Sequence, residues 1–295
     1  MAHQLRGPSP VTSTGWWAVA LSQDLPAGKP LAVKCGDTDL VLFRDGEGKV
    51  RALLDQCAHR RAPLSLGTVT AEGLVQCPYH GWRYEGQGGQ CLAIPNLSSE
   101  EKVPRTYRVP AFAVEEQDGV IHVWPVGDAT PDGPAPALSV PVLGAEACAS
   151  LLIAYPQAAC IDLLLDAPDA VLNIPGIAIV NAHRFGDPVL ADGVIDVLYA
   201  AIPASRRGKG LVSEYPFRVR VRVAAGGGHA DVQLQDDGGA LLAAATIAFT
   251  PVKHTLCLVT WRSSTAAGRK PIGIRATIDP VVARDTVDYV SRLLR

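Results

Sequence analysis

The 295-residue chain is 48% apolar and 19% charged, which excludes a largely disordered protein and leaves room for two domains or one large one. A formal charge of -2 offers no surplus of cations for nucleic acid or an anionic membrane surface. Seven scattered cysteines, an odd number, argue against a disulfide framework and for reduced thiols in a cytoplasmic protein.

The run "WWAVAL" at 16–21 follows polar, Pro-containing sequence and is too short for a bilayer, so neither a signal peptide nor a membrane span is expected. From there to residue 126, short segments such as "LAVKC", "LVLFRD", "VRALLD", "LVQCP" and "GVIHVW" alternate with turn signals such as "DGEGK" and "GQGGQ". That rhythm predicts an all-β domain over 1–126. Residues 127–141, with Pro131, Pro134, Pro136 and Pro141 among small and acidic residues, read as an extended linker. A second domain over 142–295 follows. In "FRVRVRV" (217–223) Phe217, Val219, Val221 and Val223 share one face and Arg218, Arg220 and Arg222 the other, as in a half-solvated antiparallel strand. "HADVQLQ", "ALLAAATIAF" and "HTLCLVTW" come at hairpin distances, with His229, directly after "GGG", expected on a turn. The tail "DPVVARDTVDYVSRLLR" has helical spacing of Val282, Val287, Val290 and Leu294, with Pro280 at its start. The expected class is α+β: an antiparallel meander closed by a C-terminal helix, preceded by an all-β domain.

Chemistry concentrates in "DQCAHRRAPLSLG" (55–67) and "VQCPYHGWRYEG" (75–86). Each supplies one thiol and one imidazole, Cys57 with His59 and Cys77 with His80. Thiolates with imidazoles select zinc or iron-sulfur chemistry. Zinc fingers usually pair Cys with Cys and His with His, whereas a mixed pair on each loop suits a cluster with two unlike irons, one on both Cys and one on both His. A structural zinc ribbon is the competing reading. Gly81 permits a close turn there, and Trp82 is placed to cover the site from water. Cys91 lies outside the ligand set as a packed thiol, and His122 reads as a strand residue.

With "GWWAVALSQDLPAGKPLAV", "CAHRRAPLSLG", "CPYHGWRYEGQGG" and "CLAIPNL", residues 15–125 resemble the Rieske domain of the Rieske non-haem iron oxygenases, nearer to single-subunit-type monooxygenases and demethylases than to respiratory Rieske proteins. Respiratory members carry an extra Cys in each loop, where this chain has Ala62 and Tyr79. The resemblance implies a [2Fe-2S] cluster of lower potential on Cys57, His59, Cys77 and His80, fed by a ferredoxin or flavin reductase. It also implies a helix-grip-like second domain and ring-shaped trimers, with the cluster of one chain facing the iron of the next.

The family's second domain holds a mononuclear Fe(II) on a motif of Asp, His three residues later and His five after that, plus a carboxylate near the C-terminal helix. In "AACIDLLLDAPDAVLNIPGIAIV" (158–180), aligning Asp166 with that Asp puts Asp169 and Ile174 at the two His positions. An isoleucine has no donor atom. Starting from Asp162 or Asp169 restores no His either. Asp169 and Asp285 are therefore read as remnants of the iron site, which is expected to hold no mononuclear Fe(II). Asp166 is read either as an inter-subunit electron bridge or as a helix-end carboxylate. The second domain is also short for the family.

Three functions follow from these residues. The first is an electron-relay or structural partner subunit of a catalytically intact Rieske oxygenase, in a trimer or hetero-oligomer. The second is a free-standing oxygenase with unorthodox iron ligands drawn from His183, His229 and His254. The third is a ferredoxin-like electron carrier, for which the second domain would be dispensable.

Overall fold

The computed structural model describes residues 15–98, 101–207, 214–224, 228–278, 290 and 293. The chain divides into two compact units, Met1–Pro136 and Ala137–Arg295, parted within the Pro-rich stretch 127–141.

In the first unit the strands are short because turn residues interrupt them every few positions. They are β1 (Trp17–Leu21), β2 (Leu31–Cys35), β3 (Thr38–Arg44), β4 (Val50–Leu54), β5 (Thr68–Val69), β6 (Val75–Gln76), β7 (Arg83–Tyr84), β8 (Cys91–Ala93), β9 (Ala111–Phe112), β10 (Val114–Gln117) and β11 (Val120–Val123). Among the described residues they form three antiparallel sheets, ordered β1-β11-β10, β2-β3-β4-β9 and β5-β6-β7-β8. The unbroken apolar run "LVLF" in β3 is explained by burial on both faces. Leu40 and Leu42 pack with Trp17, Ala52 and Ile121, while Val41 and Phe43 pack with Leu53, Val75 and Tyr84. Alternation along one strand thus feeds two cores. Each such side chain contributes roughly 1.5–3 kcal/mol of burial.

The second unit contains β12 (Gly144–Ile153), α1 (Gln157–Asp166), the one-turn helix α2 (Pro168–Val171), β13 (Leu172–Asn173), β14 (Ile177–Arg184), β15 (Val189–Ala191), β16 (Val194–Pro203), β17 (Phe217–Ala224), β18 (His229–Asp236), β19 (Leu241–Lys253), β20 (Leu256–Ala266) and β21 (Gly273–Ile274). Its main sheet runs β12-β20-β19-β18-β17-β16-β14, a meander from β16 to β20 flanked by two earlier strands. In β17 the Val219, Val221 and Val223 side chains are buried, and Arg220 and Arg222 are exposed on the other face. There both arginines reach Asp196 of the neighbouring strand, at 2.9 and 3.8 Å. Such an exposed pair adds at most about 1 kcal/mol.

Helix α1 lies in the apolar core on Leu163, Leu164 and Leu165. It ends at Asp166 because Ala167, at φ -140 and ψ 61, precedes Pro168, whose ring cannot continue a helix. His229, expected on a turn after "GGG", instead opens β18 opposite Ala248. The strand pattern of "HADVQLQ" extends one residue further back than the glycines suggest. His122 is a buried residue of β11. The expected C-terminal helix and Asp285 lie outside the described residues. Among the described residues, no helix is long and apolar enough to cross a membrane.

Candidate metal centre

The two Cys/His loops share one backbone frame. Cys57 donates its N–H to the carbonyl of Ala62 (2.9 Å) and accepts the N–H of Arg61 (2.8 Å). Cys77 donates to Trp82 (2.8 Å) and accepts from Gly81 (3.2 Å), so the same offsets of five and four residues recur. The fourth residue after each Cys is left-handed, Arg61 at φ +57 and Gly81 at φ +68. The tip of the second loop needs its glycine doubly, since a Cβ at Gly81 would stand 2.9 Å from Pro95 Cγ.

Other contacts hold the loops together. A Cβ on Gly67 would lie 1.8 Å from the Gln76 carbonyl oxygen, so the end of the first loop crosses directly over the strand leading into Cys77. At its base the buried Asp55 carboxylate accepts the Ser65 N–H at 2.7 Å and the Ser65 hydroxyl at 2.5 Å. On the β7–β8 hairpin, Glu85 accepts the N–H groups of Gln87, Gly88 and Gln90.

The frame holds the four donors as two pairs, with a clear polarity. The Cys57 and Cys77 side chains are buried and within hydrogen-bonding reach of each other, while His59 and His80 stand at the exposed tips. The two imidazole rings have centroids 4.6 Å apart. Trp82 stacks on His59 at 4.9 Å and 3° and is backed by Tyr107 at 5.0 Å. The indole thus covers one flank of the pair, as its place in "HGW" suggests.

Loss of hydration, then the neighbouring His80 and Arg60 charges, lower the His59 pKa and favour the neutral ring that binds metals. Burial raises the Cys77 thiol, opposed by the N–H groups of Tyr79 and His80 aimed at its sulfur. The Tyr84 hydroxyl accepts the Ala58 N–H at 3.1 Å and lies 3.1 Å from Cys57 Sγ, to which it donates once the sulfur is a thiolate. Buried sulfurs ringed by donors, with two imidazoles outside, fit an Fe–S cluster of unlike irons. Among the described residues, no three His, Cys, Asp or Glu side chains gather as a single ion requires. A two-iron cluster asks only two of each iron. Cys91, buried, has its thiol pushed up to about 11 by burial and points to the Ala93 carbonyl.

A groove of about 630 Å³ in the same unit lies elsewhere, lined by Trp16, Arg51, Arg108, Phe112 and Asp128. Its arginines are already paired, Arg51 with Asp45 at 2.7 Å and Arg108 with Asp128 at 2.5 Å.

The second-unit carboxylates have other partners. Asp166 is buried at the end of α1 and accepts the Val290 N–H at 2.7 Å. Asp169 in α2 is buried against two guanidinium groups, Arg207 at 2.9 Å and Arg275 at 3.6 Å. Ile174 is packed in the apolar core. His183 stacks on Tyr215 at 4.3 Å on β14, His229 starts β18, and His254 is exposed between β19 and β20. Sequence reasoning missed Tyr84, Arg207 and Arg275. The only local signal for Tyr84 is its place two residues after Trp82 on a strand, and neither arginine carries one.

Residues 15–113 match the Rieske [2Fe-2S] domain family. That segment is a Rieske [2Fe-2S] domain, and the chain is similar to Rieske non-haem iron oxygenases. It is 43% identical over 117 residues to the oxygenase component of dicamba O-demethylase from Stenotrophomonas maltophilia, covering 40% of this chain and 33% of that protein. To the chloroplastic protein TIC 55 of Arabidopsis thaliana it is 38% identical over 119 residues, 40% of this chain and 22% of the relative. The chain therefore spans a third or less of these relatives. The crystal structure of apo dicamba monooxygenase matches 88% of this chain and 78% of its own, with a TM-score of 0.64 and 26% identity, so the likeness in fold extends into the second unit.

Proposed function

We propose that Cys57, His59, Cys77 and His80 hold a Rieske [2Fe-2S] cluster, both thiolates on one iron and both imidazoles on the other. We propose further that the chain is an electron-relay or structural partner subunit of a Rieske oxygenase whose own mononuclear iron is intact. The observation that carries the first part is the pairing of the four side chains on two loops of one recurring frame, thiol beside thiol inside and imidazole beside imidazole outside. When bound, the cluster supplies one-electron transfer at a potential raised by its neutral imidazoles. Around it the chain's own residues supply donors to the sulfurs, from Tyr84 and the Tyr79 and His80 N–H groups, and shield His59 with Trp82.

The second part is supported by the fate of the aligned iron ligands. Asp169 is held by two arginines and Ile174 carries no donor, so the residues present do not fit Fe(II). An electron arriving at the exposed imidazole tips would then leave toward a neighbouring chain. The electron donor on this reading is a ferredoxin or flavin reductase, the assembly a trimer or hetero-oligomer, and the compartment the cytoplasm. Asp166 is the residue through which such a relay would run.

Co-expression with a candidate long-chain oxygenase, followed by sizing and a turnover assay, tests the reading. Cys57→Ser should lower turnover of the assembly without dissolving it if the role is electronic, and leave turnover intact if the role is structural. Separate migration of the two chains, with the long chain fully active alone, would defeat the partner role. Colourless protein with stoichiometric zinc would defeat the cluster.

A further inference from the structure

We propose that the position of the lost iron has been rebuilt as a metal-free ion-pair node centred on Asp169, whose two guanidinium groups select a carboxylate and exclude divalent cations. The inference rests on the alignment of Asp166 used above and goes on to say what now occupies that place.

The node ties together three segments that are distant in sequence. Asp169 sits in the single turn of α2, with a carboxylate only 9% exposed. Arg207 comes from the end of the 3₁₀ turn Ala204–Arg206, and Arg275 follows β21. Arg275 does more than pair charges. Its Nε donates to the Asp169 carbonyl at 2.7 Å and its own N–H to the Val171 carbonyl at 2.8 Å, so it grips the backbone of α2 as well as the side chain. From the other side, the Asp169 N–H donates to Asn181 Oδ1 at 3.3 Å.

Charge decides which ligand fits. A buried carboxylate needs compensation, and here two fixed positive charges supply it where the family uses a dication. One acid against two guanidinium groups leaves an excess of one positive charge. A divalent cation entering that space meets two like charges within a few ångströms of its single carboxylate ligand, and Ile174 offers no second donor. A carboxylate meets two planar donors suited to its oxygens. The arginine side chains are 65% and 39% exposed, so a small anion has a route in from solvent.

The test uses the full chain with its cluster, followed by calorimetry. Asp169→Ala should lower the melting temperature of the second-unit transition by about 5 °C or more. Arg275→Gln should act similarly, and the double variant should lose much less than the two singles added. Asp169→Ala leaves a hole the size of formate. Sodium formate at about 0.1 M, against the same chloride, should restore several degrees to that variant and nothing to wild type or the double variant. Mn(II) and Co(II) should shift no transition and give no Co(II) ligand-field bands. If Asp169→Ala does not accumulate folded, the cycle runs with Asp169→Asn and Arg207→Gln.

Additive losses with no formate effect would overturn the node and leave the iron-free reading standing. Saturable Co(II) or Mn(II) binding to wild type, abolished by Asp169→Ala or Asp169→Asn, would overturn both.

Discussion

Replacing Tyr84 by Phe removes one hydroxyl from beside the buried end of the proposed cluster and leaves the ring in place. That hydroxyl accepts the Ala58 N–H and stands 3.1 Å from Cys57 Sγ, so its hydrogen is free to point at the sulfur. Reduction adds negative charge on the sulfurs, and an O–H donor stabilises the reduced form more than the oxidised one. If the two states differ by about 1 kcal/mol in that bond, the potential should fall by about 40 mV in a one-electron couple. Burial, then the neighbouring Cys57, pushes the phenol pKa far above its usual value. The donor hydrogen therefore persists into alkaline solution, and the offset between Tyr84→Phe and wild type should stay constant from neutral pH upward until the Tyr84 phenol itself ionises. The assay is a redox titration followed by the electron paramagnetic resonance of the reduced cluster, with iron content as control. An unchanged potential in a fully loaded variant would refute the argument, because no other path from Tyr84 to the cluster is claimed.

Three further outcomes are expected. Gly81→Ala should cost about 1–2 kcal/mol through its positive φ and the Pro95 contact, whereas Arg61→Gly should be nearly neutral, in thermal denaturation of the two variants. The Glu116 carboxylate, which pairs with Arg44 at 2.7 Å, is held below the usual carboxylate range chiefly by the hydrogen bond from that guanidinium. Glu116→Gln should thus destabilise the protein by about 1 kcal/mol near neutrality, and the difference should vanish as pH falls through the depressed pKa of that group, in parallel urea titrations. Leu164→Ala, in the fully buried stripe of α1, should cost about 2–5 kcal/mol by the same measurement.

The parts of the protein written in local periodicity were legible before the structure. "FRVRVRV" alternates and is a strand buried on its valine side; "CAH" and "CPYH" announce paired loops, and those loops meet. What escaped was long-range. Nothing near Arg275 in "PIGIRATI" marks it as a partner of Asp169, which lies more than a hundred residues earlier and is brought close by the β13–β21 pairing. Asp166 could be read from sequence as a helix end, as it is, but not as the acceptor for Val290, because that contact depends on where the chain returns. His229 was misplaced because three glycines dominate the local signal, whereas the pairing of β18 with β19 extends to it.

The recurring frame of the two loops bears on how the site is loaded. Each loop is closed by its own main chain, and Asp55, Gly67 and Gly81 fix where the loops sit, so the cradle owes its shape to bonds that involve neither sulfur nor imidazole. Inserting iron into such a cradle is an act of filling rather than of folding, unlike a zinc finger, whose chain stays unfolded until the metal comes. Chelators would accordingly bleach this protein without melting it.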